Sequence, residues 1–353
     1  VGQRIVGMDL ARAVAVFGMV TVNFKIVMGA AQNGPEWLVV LAGLLDGRAA
    51  ATFVVLAGVG VSVMARPARE SADPDRMRLV RRTLFKRALF LFVAGALYTP
   101  IYSADILHFY GVYLAIAALL LAASTRQLWA TCGLLVSSFV VMILVLDYER
   151  GWNWTTLEYE GLWSPSGAVR HLFFNGFHPV VPWLAFLLVG MVIGRLDLSD
   201  RVVRRRAFAW GAAAALAAEG VSQLLVHSLS RGADAAGREV VVALFGTQPM
   251  PPMPLYMVAA AGTATVVIVA SIALGERCRD SAWLRPLVST GQLALTLYVA
   301  HVVVGMVSLD AMGRLENQTL AFSVLASFTF SAAAVVFAHL WRRRFRRGPL
   351  EAA

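Results

Sequence analysis

The sequence predicts an all-α protein, a polytopic transmembrane helix bundle of about ten spans with both termini in the cytoplasm. Three observations carry that expectation. Apolar runs of roughly 20 residues, the length that crosses a bilayer, recur along the chain. Of the 353 residues, 59% are hydrophobic and only 15% are charged, more apolar sequence than a soluble core uses. Arginine and lysine gather between the runs, so the net charge of +10 reads as a topology signal rather than a nucleic-acid surface.

Span one covers about 5–27, within RIVGMDLARAVAVFGMVTVNFK, and carries Asp9, Arg12 and Asn23 inside its apolar run. Arg12 and Asn23 are 11 positions apart, which at about 100° per residue puts them within about 20° of one face and about 16 Å apart along the axis. Asp9 lies one turn before Arg12 on nearly the same face. Polar groups within a span usually face a bundle interior or a wet cavity and mark function by default. The plainer alternative is an Asp9–Arg12 pair resting at the cytoplasmic interface. A turn-rich loop, 28–36, leads to an apolar stretch, Trp37 to Leu45, too short to span and suited to the outer interface. Asp46-Gly47-Arg48 opens span two, about 49–65. A basic segment, 66–87, precedes spans three, four and five at about 88–102, 105–123 and 128–146. The longest loop, 147–177, is aromatic and partly acidic, with Trp152, Trp154, Tyr159 and Trp163 beside Glu149, Glu158 and Glu160. Spans six and seven follow at about 178–194 and 207–228, then a short helix over about 235–246. Spans eight, nine and ten cover about 254–274, 287–308 and 318–340, before the basic tail RRRFRR. The whole of 1–353 is expected as one integral-membrane domain.

With the N-terminus inside, the cytoplasmic segments hold 23 arginines and lysines, beginning with Arg4, and the outer segments 7. That asymmetry sets the orientation and, in a bacterium, places the protein in the inner membrane with the 147–177 loop outside. No cleavable leader is expected, because the first span carries charge in its apolar run and no small-residue cleavage site follows. Cys132 sits in a span and Cys278 in a basic loop, neither a disulfide framework nor a metal spacing.

The orientation makes the histidines informative. His108, His171, His178, His227 and His301 fall near the outer ends of spans or in the exterior loop, at the level of Asn23, Asp46, Arg48 and Asp105. Histidine moves protons near neutral pH. An outward cavity lined by His, Asp and Asn is one reading, and histidines tolerated where water is near is the other. Glu219, Gln223 and His227 share a face of span seven, as a proton path or as a hydrogen bond between helices. Gly58, Gly60, Gly190 and Gly194 suggest close helix packing. No nucleotide loop, HExxH or GxSxG is present.

RIVGMDLARAVAVFGMVTVNF resembles the opening of the transmembrane acyltransferases related to heparan-α-glucosaminide N-acetyltransferase, with the YeiB-like bacterial membrane proteins as the nearer branch. DGRAAATFVVLAGVGVS, ADILHFYGVYLAI, FHPVVPWLAFLLVGMVIGR and GQLALTLYVAH resemble later segments of that group in the same order, over about 4–305. The resemblance implies transfer of an acyl group, acetyl above all, from cytoplasmic acyl-coenzyme A (acetyl-CoA) to an exterior hydroxyl or amine. The acceptor would be a glycan or a lipid-linked envelope molecule. Membrane lipids surround the protein, a homodimer is left open, and neither a metal nor a nucleic acid is implied. There is one departure: the heparan enzyme's catalytic histidine follows the Val-Asn pair, and residues 24–36 here hold no His. Asn23 carries over by position. Either another histidine substitutes or this branch does different chemistry.

On the first alternative, His178 is the leading candidate for general base, at the mouth of span six where Pro179 and Pro182 fix its approach. His108 and His301 come next. Asn23 would donate to the oxyanion and Asp46 would orient the base or an acceptor hydroxyl. Arg12, Arg48, His108 and His301 are the residues expected to contact the donor, whose phosphates arginines suit. The competing class is a proton-coupled transporter or exporter of a small molecule or lipid-linked precursor. Against it, no inverted repeat or pair of broken helices is visible.

Overall fold

The computed structural model describes residues 5–352, so Arg4 lies outside the described residues. Helices run α1 (Val6–Val27), α2 (Glu36–Gly43), α3 (Arg48–Glu70), α4 (Pro74–Tyr98), α5 (Leu107–Leu119) and α6 (Thr125–Val145). A two-stranded hairpin follows, β1 (Trp152–Asn153) with β2 (Glu158–Tyr159), Trp152 opposite Tyr159. Then come α7 (Pro165–Arg170), α8 (Val180–Ile193), α9 (Arg201–Leu229), α10 (Ala235–Phe245), α11 (Pro254–Arg277), α12 (Leu284–Gln292), α13 (Ala294–Ala300), α14 (Val307–Ala311) and α15 (Leu320–Arg344). Two π-helical turns interrupt the pattern, His171–Asn175 after α7 and His301–Met306 between α13 and α14.

The protein is an all-α, multi-pass membrane protein, and each apolar run read from the sequence carries helix. Among the described residues seven helices are long and apolar enough to cross a bilayer, eight if the bent pair at 165–193 counts as one span. The first half of α4 is charged from Asp75 to Arg87, and α5 has 13 residues. Helix starts have local causes. Asp73 caps α4, accepting from the amides of Asp75 and Arg76 at 2.9 and 3.2 Å, with Pro74 in the first turn where its missing N–H costs nothing. Ser124 and Gln127 form a reciprocal capping box at the start of α6.

The chain divides into two compact units. One comprises the chain up to Leu56 together with the chain from Thr263 on. At its centre is α1, 56% of whose apolar window is buried, against α12, α13 and α15. Backbones meet there without side chains between them: a Cβ on Gly291 would stand 1.7 Å from the Asp9 carbonyl oxygen, and one on Gly7 2.2 Å from the Ile272 Cα. The other unit, Ala57–Gly262, packs the α4–α5 hairpin and the α6–α8 pair. Here Gly58 approaches α8 so closely that a Cβ would stand 1.9 Å from the Leu187 oxygen, and Gly194 would meet Ser62 at 2.7 Å. Gly60, expected to pack in the same way, has nothing within 4 Å of a built Cβ and faces open space.

Expected as a loop, 147–177 is largely structured around Asn175. That side chain is fully buried. Its amide donates to the carbonyls of Tyr148 and Arg150 at 2.8 and 2.9 Å and its oxygen accepts from Tyr159 at 2.8 Å. Trp152 Nε1 donates to its backbone carbonyl at 2.6 Å.

Candidate functional site

In the unit built on α1, the last turns of that helix carry Asn23 and Lys25, two residues apart and therefore on diverging faces. Asn23 Nδ2 lies 2.9 Å from His301 Nε2. His301 is fully buried at the start of its π-helical turn, and its Nδ1 donates to the Tyr298 carbonyl. With the proton on Nδ1, Nε2 carries the lone pair and the Asn23 amide donates to it. Phe24 stacks on the imidazole at 6.4 Å between centroids, and the Tyr298 ring lies 5.1 Å away. His301 opens the π turn, and such turns are frequent at functional sites.

Asp46, expected to orient the base or an acceptor hydroxyl, is paired with Lys25. The ammonium lies 2.5 and 2.7 Å from its two oxygens, with the lysine side chain 5% exposed and the aspartate 29%. Arg12 is paired to Asp9 at 2.5 Å, and Asp9 also accepts from Gln292 of α12 at 3.3 Å. Asp9 is buried while Arg12 is a third exposed, so the pair presents its cation outward. Arg48 stands half-buried at the first turn of α3.

The second unit assembles three other histidines. Asp105 Oδ2 accepts from the amides of Leu107 and His108 at 2.9 and 3.3 Å and lies 3.0 Å from His108 Nδ1, with the Thr99 hydroxyl at 3.3 Å. The carboxylate thus serves as the first-turn acceptor of α5 and as the orienting partner of an imidazole. The His171 ring lies parallel to His108 at 5.6 Å, and Phe109 touches both rings. His178, the leading sequence candidate, belongs to this unit. Tyr113 donates to its backbone carbonyl, Trp183 meets its ring edge-on at 4.6 Å, and its Nδ1 is buried without a hydrogen-bond partner. The histidine brought to Asn23 is His301.

Sequence reasoning missed Asn175 and the Lys25–Asp46 pairing. A neutral Asn in a loop carries no hydropathy signal, and Lys25 counted only as an outer charge. On span seven, Glu219 accepts from the Thr247 hydroxyl, in the segment after α10, at 2.9 Å. Among the described residues no group of three or more His, Cys, Asp or Glu is placed to hold a metal ion.

Two families match the chain. The catalytic family of heparan-alpha-glucosaminide N-acetyltransferase matches residues 4–230, which contain Asn23, Asp46, Asp105, His108 and His178. A family described as proteins of unknown function, DUF418, matches residues 199–353, which contain His301. No curated protein matches the chain.

Proposed function

The chain belongs to the heparan-alpha-glucosaminide N-acetyltransferase catalytic family, and on that premise we propose that it is an acyl-coenzyme A-dependent membrane acyltransferase. The acyl group, acetyl in the simplest case, passes from a cytoplasmic thioester to a hydroxyl or amine of a glycan or lipid-linked envelope molecule on the outer side of a bacterial inner membrane. The arginine asymmetry supports the orientation. The observation that carries the chemistry is the 2.9 Å contact between Asn23 and His301.

The step balances as follows. The acceptor O–H or N–H takes the place of the Asn23 amide at His301 Nε2. Nε2 removes the proton as the acceptor atom bonds to the thioester carbonyl carbon. The Asn23 amide, released from the imidazole, donates to the carbonyl oxygen as charge grows on it. The C–S bond then breaks and the imidazolium returns its proton to the coenzyme A thiolate, which leaves as the thiol. Tyr298 holds the ring by Nδ1 throughout. Arg12, with its outward-facing guanidinium, is suited to a donor phosphate.

A second assignment of the base has its own support. His108, oriented by Asp105, has the carboxylate–imidazole arrangement that stabilises a protonated ring. Purified protein given radiolabelled acetyl-CoA and an envelope-glycan acceptor separates the two. Loss of transfer in His301→Ala with activity kept in His108→Ala supports the first; the reverse result moves the base to His108. No transfer by the intact protein with any hydroxyl or amine acceptor would return the transporter class to first place.

A further inference from the structure

Three arginines converge where α3 ends and where the chain leaves α8. Arg66, Arg69 and Arg195, with Glu70 and Asp197, line a cavity of about 590 Å³ within the Ala57–Gly262 unit. Each guanidinium uses some of its donors to pin the chain. Arg66 reaches the carbonyls of Gly194 and Leu196, both at 3.3 Å, and Arg69 the Ser62 hydroxyl at 3.3 Å. Arg195 reaches the Ala123 carbonyl at 2.7 Å and the Thr125 hydroxyl at 3.0 Å. Those bonds use Nη2 of Arg66 and of Arg69 and both Nη groups of Arg195. The Nε–H groups of Arg69 and Arg195 are both buried and meet no acceptor among the described residues. Buried donors in native proteins nearly always have one.

The two carboxylates do not supply it. Asp197 accepts from its own loop, from the Ser199 amide at 3.1 Å and the Ser199 hydroxyl at 2.5 Å, and those bonds hold its carboxyl below the usual range. It is therefore ionised but turned to Ser199. Glu70 is 73% exposed and its closest approach is to Arg66, at 4.0 Å. Burial, and then the neighbouring Arg69, push the Arg195 guanidinium down from its ordinary value, as crowding of like charges does.

We propose that this cavity binds a phosphoryl anion, held among the guanidinium groups of Arg66, Arg69 and Arg195 that line it. A planar guanidinium matches phosphoryl oxygens in pairs, and an oxyanion would supply the countercharge that Asp197, turned to Ser199, and the exposed Glu70 do not. The same chemistry is offered by a soluble organophosphate and by the headgroup of an anionic phospholipid. The inference does not rest on the acyl-transfer proposal, and a protein that transfers nothing would still bind the anion.

The test uses the full chain in two settings. In lipid-free detergent, calorimetric titration with pyrophosphate reads the soluble source. In nanodiscs of phosphatidylglycerol and phosphatidylcholine, native mass spectrometry of the ejected protein reads the retained lipid. Saturable pyrophosphate binding weakened about ten-fold or more by Arg69→Gln supports a soluble phosphate. Selective retention of phosphatidylglycerol that Arg69→Gln abolishes supports a headgroup. Because Arg195 also clamps the chain, Glu70→Gln serves as the second variant. It removes a competing charge without touching a packing contact and should tighten binding several-fold. Overturning results are absence of both kinds of binding, equal binding by the intact protein and Arg69→Gln, or weaker binding in Glu70→Gln.

Discussion

His301 and His108 are both buried and both fixed through Nδ1, each in a different unit, yet their partners differ in charge. His301 is oriented by a neutral backbone carbonyl and faced at Nε2 by a neutral amide. His108 is oriented by the Asp105 carboxylate, and no hydrogen bond reaches its Nε2 among the described residues. A carboxylate stabilises the imidazolium as well as placing the ring, whereas a carbonyl mainly places it. The contrast teaches that a charged orienting partner and a neighbouring amide need not fall on the same histidine: of the two, His301 has the Asn23 amide within reach.

The largest expected effect breaks that comparison directly. His301→Ala should lower acyl transfer by about 10²–10⁴-fold, the range for a lost general base, while His108→Ala leaves most of it; initial rates with radiolabelled donor read both. Next, Asn23→Ala should cost about 10²–10³-fold in kcat, as for a lost oxyanion donor, with coenzyme A affinity little changed. Asn23→Asp sharpens the point, because it keeps the shape but replaces a donor by a carboxylate, which turns the His301 surroundings into those of His108. It should not rescue transfer. Third, Asp46→Asn strands the Lys25 ammonium, 5% exposed, and should destabilise the first unit by about 3–5 kcal/mol. Thermal unfolding in detergent would show it, and the double change with Lys25→Met should recover most of the loss. The smallest effects lie in the other unit. Gly58→Ala, whose Cβ would stand 1.9 Å from the Leu187 oxygen, should cost about 1–3 kcal/mol. Gly60→Ala meets nothing and should be neutral or stabilising by up to about 1 kcal/mol.

The helices were legible because a bilayer imposes one length and one polarity on every span, so hydropathy alone finds them. Asn23 was legible for the same reason, as a polar group where none is tolerated without cause. Its partner was not. Asn23 and His301 are separated by 278 positions, and five histidines shared the outer level. His178 stood out because prolines flank it, yet those prolines bend the chain without saying what the imidazole meets. The π-helical turn at His301–Met306 leaves no mark in composition, and it rotates every later side chain relative to an α-helical reading. The Lys25–Asp46 pairing has an electrostatic reason. A carboxylate at that level takes the nearest buried cation, and Lys25 lay only 21 positions away.

The long separation of Asn23 from His301 also sets an order of events during biosynthesis. Lys25 meets Asp46 soon after both are made, and Asp9 finds Arg12 within its own turn. Asn23 has no such neighbour. At about 5–20 residues per second, roughly 15–55 s pass between synthesis of Asn23 and of His301. In that interval all of Ala57–Gly262, the second unit, is produced. Until His301 is made, the Asn23 amide lacks its imidazole partner. The site that is first in the sequence is among the last to be completed.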